Sequence, residues 1–160
     1  MRVFKQWLKE IDVALTHDQM KQFEAYYDTL VDWNEKMNLT RITDKEDAYE
    51  KHFFDSLLAA KCYDFTSVQR MIDVGGGAGF PSIPLKIAYP HLNVTILDAS
   101  NKRIQFLTHV AKVLELDNVH PFIAGQKTPL VTIIIAISTM LLLRGQSLEC
   151  QCLQNIVCRL

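Results

Sequence analysis

Residues 73–81 read DVGGGAGFP, and they close the apolar stretch MIDV at 71–74, which has the composition of a buried strand. A strand that runs into glycines and then into a helical pattern brings backbone close to a ligand, because Gly75, Gly77 and Gly79 lack Cβ and accept positive φ. Two ligands compete for such a loop. A dinucleotide requires G-x-G-x-x-G, with amides and a helix start aimed at pyrophosphate. Counting from Gly75, the sixth position of that fingerprint is Phe80, so the dinucleotide pattern is broken. The spacing found, G-x-G-x-G behind Asp73, suits a cationic ligand without phosphate, such as the sulfonium and amino group of S-adenosylmethionine. Pro81 is expected early in the following helix, where its missing N–H does no harm.

Outward from the loop, residues 80–88 read as a helix, VTILD at 94–98 as a second strand and residues 103–114 as a second helix. This alternation is the signature of a parallel sheet faced by helices. Asp98 ends the second strand 19 positions after Gly79, the distance at which an acid accepts ribose hydroxyls. It supports an adenosine ligand of either kind. A strand-end aspartate can also serve the next helix, although Ser100 could cap that helix equally well. The ribose role is preferred because loop and acid agree on one ligand. Lys102 and Arg103 open a helix whose dipole disfavours them, and they read as solvated side chains or as a small RNA-facing patch.

The N-terminal third is helical. Met20, Phe23, Tyr27, Leu30, Val31 and Met37 recur at three- and four-residue steps over 16–37, and Thr16 with Gln19 forms a capping-box start. A shorter helix is predicted over 4–14, and another after Asp44 through His52 and Leu58. Three regions follow: a helical extension at 1–64, the first half of a nucleotide-binding α/β domain at 65–125, and an atypical stretch at 126–160. In that last stretch only Lys127, Arg144, Glu149 and Arg159 are charged, and three of the four cysteines fall there. Its uncharged run at 131–143 is shorter than the roughly 17 residues that span a bilayer. The chain has 160 residues, 49% apolar and 22% charged, with a net charge of −1. One globular core is expected, with no global attraction to nucleic acid. The cysteines, with no C-x-x-C pair, are expected as reduced thiols, no metal is expected, and the N-terminus lacks a secretory pattern. A cytoplasmic monomer away from the membrane is the resulting expectation.

Four motifs in order then become specific: WNEKMNLT at 33–40, HFFDSL at 52–57, DVGGGAGFPSIPLKI at 73–87 and LDASNKRIQFL at 97–107. Together they resemble the bacterial small-subunit ribosomal RNA guanine-N7 methyltransferases, formerly called glucose-inhibited division protein B, over about residues 4–119. The resemblance implies a Rossmann-like class I methyltransferase domain with an N-terminal helical extension, S-adenosylmethionine as cofactor, and a guanine in the decoding region of 16S rRNA, or of the small ribosomal subunit, as target. It implies that Gly75 and Phe80 line the cofactor loop and that Asp98 with Ala99 contacts the adenosine end. The family usually carries Ser, Thr or Ala where this chain has Gly76, which is expected to loosen the loop. Because guanine N7 carries no proton, the reaction needs no general base, and the absence of an evident catalytic His or Cys is no objection. His52 and His109 read as surface or core histidines, and Trp33 and Tyr27 as packing residues rather than RNA-stacking ones.

Beyond residue 119 the resemblance stops: an Arg-Ala-Glu-Asp turn and a Thr-Ala-Arg-Ala-Val-Ala-Arg stretch that the family would supply are missing. Reading the message one nucleotide out of step, the genetic code permits the first across 124–128 and the second within 138–153. A frameshift near 119–124 that removes the fourth and later strands of the sheet, and with them the Arg of the lost turn, is therefore expected. A non-catalytic RNA-binding module and a nicotinamide oxidoreductase are the other readings. The oxidoreductase accounts only for the glycine loop and Asp98, against Phe80.

Overall fold

A computed structural model of the chain describes residues 2–40 and 44–124. Its sheet has three parallel strands in the order β1-β2-β3: β1 is Arg70–Val74, β2 Asn93–Asp98 and β3 Val119–Ile123. Asp73 stands beside Ile96 in the β1–β2 register, and Ile96 beside Pro121 in the β2–β3 register. Parallel neighbours require crossover connections. These are α6, Ser82–Ala88, and α7, Asn101–Val113. The fold is thus α/β of the expected class. A third strand was expected ahead of the missing fourth, but its residues were not assigned from the sequence. His120 and Pro121 interrupt the apolar pattern, and a proline that cannot donate to a ladder is tolerated at the edge position it holds here.

Upstream lie α1, Arg2–Glu10, and α2, His17–Met37. The first ends sooner than its periodicity suggests, because Asp12 turns to positive φ (55°) and Val13 N–H returns to Leu8 O. In α2 the expected capping box forms: Thr16 accepts from Gln19 N, and Gln19 accepts from Thr16 N (2.7 Å). Asp44 accepts from Glu46 and Asp47 N to start α3, Lys45–Ala48, which runs on as a π-helical segment, Tyr49–Phe54, into α4, Asp55–Leu57. After α5, Ala59–Cys62, the chain enters β1. Cys62, expected as a reduced thiol, is disulfide-bonded. The lack of a C-x-x-C pair, on which that expectation rested, does not bear on bonds between cysteines far apart in the chain.

One hydrophobic cluster joins the helical extension to the sheet: Phe4, Phe23, Tyr26, Leu30 and Phe53 pack with Ile83, Ile87, Val94, Ile96, Phe106 and Leu107. Trp33 lies against Phe106 and His109, and Tyr27 against Tyr49, so both are packing residues as read. Lys86 is buried, and its ammonium donates to Pro90 O and Leu92 O (both 2.6 Å), holding the turn from α6 into β2. Burial lowers its pKa. Among the described residues no helix is long and apolar enough to cross a membrane. The motifs and uncharged run expected at 125–160 lie outside the described residues.

Candidate functional site

The ends of β1 and β2 meet through the glycine loop. Gly75, Gly77 and Gly79 take φ of 79°, 59° and 96°, conformations in which a side chain is strained. Gly75 N–H donates to Leu97 O (2.7 Å), and Gly77 N–H donates to Asp98 Oδ2 (3.1 Å). A Cβ on Gly77 would meet only Gly75 O, at 3.9 Å, leaving an open cradle over the loop. Gly79 differs. A Cβ there would stand 2.7–2.9 Å from Ile83, Leu107 and the Tyr26 hydroxyl, so this glycine serves close packing of the loop on the helices. Gly76, read from the sequence as a loosening, is buried and tightly placed: a Cβ would stand 2.6 Å from Ile96 and 2.8 Å from Asp73.

Asp73 is 7% exposed, and its Oδ2 has no hydrogen-bond partner among the described residues. Burial pushes its carboxyl up to about 6, against the hydrogen bonds of the Ser82 hydroxyl and amide, with the charge of Asp98 adding to the rise. A buried carboxylate oxygen without a donor beside an open glycine cradle fits a ligand that carries positive charge. These residues therefore fit the sulfonium and amino group expected from the sequence. They fit a pyrophosphate poorly.

Asp98, 3% exposed, accepts from Gly77 N, from Ser100 N (2.7 Å) and from Arg103 Nη1 (3.2 Å). Ser100 holds the N-cap position of α7 but makes no side-chain cap. Arg103, read as solvated, is instead paired with Asp98, which explains a cation in the first turn of a helix. Lys102 and Ala99 are exposed beside it. Gly75, Gly77, Asp98, Ala99 and Arg103 thus gather at one edge, with Asp73 beneath.

Phe80 faces the other way, onto an aromatic bed. Its ring stacks on His52 (4.4 Å between centroids) and Tyr26 (5.5 Å), with Phe53 at 6.0 Å. The Tyr26 hydroxyl donates to Ala78 O inside the loop. Burial, then the Asp73 charge, raise its pKa well above the ordinary value, so it remains a donor. His52 Nε2 is hydrogen-bonded to Thr40 Oγ1 (2.9 Å), and Asn34 Oδ1 accepts from Thr40 N. The motifs at 33–40 and 52–57 therefore reach the glycine loop through Thr40 and His52. Tyr26 and His52 were not singled out as site residues, because helical periodicity assigns Tyr26 to the core and says nothing of what the π-helical segment presents. Pro81, expected early in the helix, instead occupies the N-cap of α6, and residues 80 and 81 form a turn.

A parallel sheet crossed by helices, with a glycine loop and an acid at adjacent strand ends, defines a Rossmann-like domain of the methyltransferase class. The family profile described as rRNA small subunit methyltransferase G matches residues 19–126. The chain is 58% identical over 117 residues to ribosomal RNA small subunit methyltransferase G of Macrococcus caseolyticus, covering 73% of this chain and 49% of that protein. It is 59% identical over 116 residues to the proteins of that name in Bacillus thuringiensis and Bacillus anthracis, 72% of this chain and 48% of each relative. The chain spans about half the length of the curated relatives it matches. It belongs to the rRNA small subunit methyltransferase G family.

Proposed function

We propose that the loop at 73–81 together with Asp98 and Ala99 holds S-adenosylmethionine, and that the family reaction is methylation of N7 of a guanine in the decoding region of 16S rRNA. The observation that carries the cofactor reading is Asp73: a buried carboxylate oxygen without a donor, under a glycine cradle, favours a cation-bearing and phosphate-free ligand. A pyrophosphate there would meet two buried acids, Asp73 and Asp98. In this reading Asp73 faces the cationic end, the amides of Gly75 and Gly77 line the floor, Asp98 with Ala99 takes the adenosine end, and Gly79 and Phe80 seat the loop. The bound cofactor supplies an electrophilic methyl group. Guanine N7 offers a lone pair and carries no proton, so the chain has to align and desolvate the two partners rather than move a proton. Lys102, exposed next to the site, is the residue assigned to an RNA phosphate, with 16S rRNA or the small subunit as partner and a cytoplasmic monomer as the acting form.

We read this 160-residue chain as a cofactor-binding half without turnover, because the motifs expected after residue 124 are absent from its sequence. Calorimetric titration with S-adenosylmethionine, NAD serving as control, tests the reading. Saturable binding of the first alone, with no methyl transfer to 16S rRNA, is the expected result. Binding of NAD in its place, or of neither by the folded chain, overturns the cofactor assignment, and methyl transfer overturns the loss of turnover.

A further inference from the structure

Asp98 is where the ends of two strands and one helix converge, and one of its oxygens is fully occupied. A carboxylate has about two acceptor positions on each oxygen. Among the described residues Oδ1 accepts from Ser100 N alone, whereas Oδ2 accepts from both Gly77 N and Arg103 Nη1. A vicinal diol that places one hydroxyl on each oxygen finds room on Oδ1 and none on Oδ2. One donor must therefore leave. Gly77 N–H is held by a loop whose backbone is pinned to Leu97 O through Gly75 and to Tyr26 through Ala78. Arg103 is held only by its own side chain, 46% exposed at the third position of α7, where the helix dipole opposes its charge.

We propose that Arg103 is a specificity-determining residue that competes with ribose for Asp98: the diol enters by taking Oδ2 from the guanidinium, which swings to solvent beside the glycine loop. The proposal rests on the ribose role of Asp98 given above. Two consequences follow from the exchange. Removing the guanidinium strengthens ligands that carry the diol, and it leaves ligands without the diol unchanged.

The test compares adenosine with 2′,3′-dideoxyadenosine, both uncharged, in the unmodified chain, Arg103→Met and Arg103→Lys, by calorimetry or amide chemical-shift titration, with thermal melts confirming that each variant is folded. Arg103→Met is expected to bind adenosine about fivefold more tightly, the scale of an exposed ion pair, with dideoxyadenosine unmoved. Arg103→Lys, which keeps the charge, is expected to lie between. Weaker adenosine binding in Arg103→Met, or an equal change for both nucleosides, would make Arg103 a support of the site and overturn the proposal while leaving the cofactor reading intact. If adenosine and dideoxyadenosine bind equally well to the unmodified chain and to Arg103→Met, Asp98 does not read ribose, and both fall.

Discussion

At Asp73 the demands of folding and, under the proposed function, of ligand binding are opposed. Its carboxyl rises from the ordinary 3.8 to about 6 because burial penalises the charge. The folded state therefore prefers the protonated form. This contribution is fully present below about pH 4 and is lost as pH rises through 6, a loss of about 3 kcal/mol at about 1.4 kcal/mol per unit. Asp73→Asn should accordingly be more stable than the unmodified chain by about 2 kcal/mol at pH 7.5 and little different at pH 4, as read from urea midpoints at the two pH values. Under the proposed function the same substitution loses S-adenosylmethionine, whose affinity for the unmodified chain should increase as pH rises through about 6. Greater stability with loss of binding would mark a charge kept for its ligand. An unchanged urea midpoint at pH 7.5 would mean that the buried charge is already compensated.

Residues of this kind were legible because chemistry limits what can stand at a strand end before glycines. The placement of Asp73 and Asp98 near strand ends and the positive φ of Gly75 and Gly77 were legible in this way, Asp98 from its spacing to the glycine loop. Arg103 was not, since the sequence does not tell which side-chain rotamer reaches back over the helix start.

Among the elements, α2 was readable almost to the residue, because a capping box and an apolar stripe specify the same helix. The π-helical segment was not, since the apolar spacing of Tyr49, Phe53 and Leu57 is the same as that of an ordinary helix. Gln19 separates what sequence says from what packing adds. A capping box accepts Glu as readily as Gln at this position. Yet Gln19 Nε2 also donates to Ile87 O (2.7 Å) and Ala88 O (3.2 Å), the last carbonyls of α6. Gln19→Glu keeps the cap and turns an acceptor toward two acceptors, so a loss of about 2 kcal/mol is expected, seen as a lower melting temperature. A melting temperature equal to that of the unmodified chain would show that the link to α6 contributes nothing.

For the whole molecule, the described residues pack unequally on the two faces of the sheet. Met71, Val94, Ile96 and Val119 join the core cluster. Their alternates Ile72, Val74, Leu97 and Phe122 lie outside it, with Val74 beside Leu97 and Leu97 beside Phe122. Parallel sheets are as a rule covered on both sides; on this face Leu97 is buried, whereas Phe122 is half exposed on β3, the edge of the described sheet. Phe122→Lys should therefore reduce self-association at high concentration, measured by sedimentation velocity, while shifting stability by less than about 0.5 kcal/mol. Unaltered sedimentation would show that this face does not drive association. The half-exposed ring was not legible in the sequence, because the strand that carries Phe122 is concealed there by His120 and Pro121.

The bed of rings under the loop has a consequence for descent. Tyr26 and Ala78 are 52 positions apart in the chain, yet Tyr26, His52, Phe53 and Phe80 share one contact. A lineage that exchanged Phe80 for a smaller residue would leave a gap that only a change at position 26, 52 or 53 could fill. These four positions are expected to drift together or not at all, so the glycine loop is inherited jointly with the helices packed beneath it.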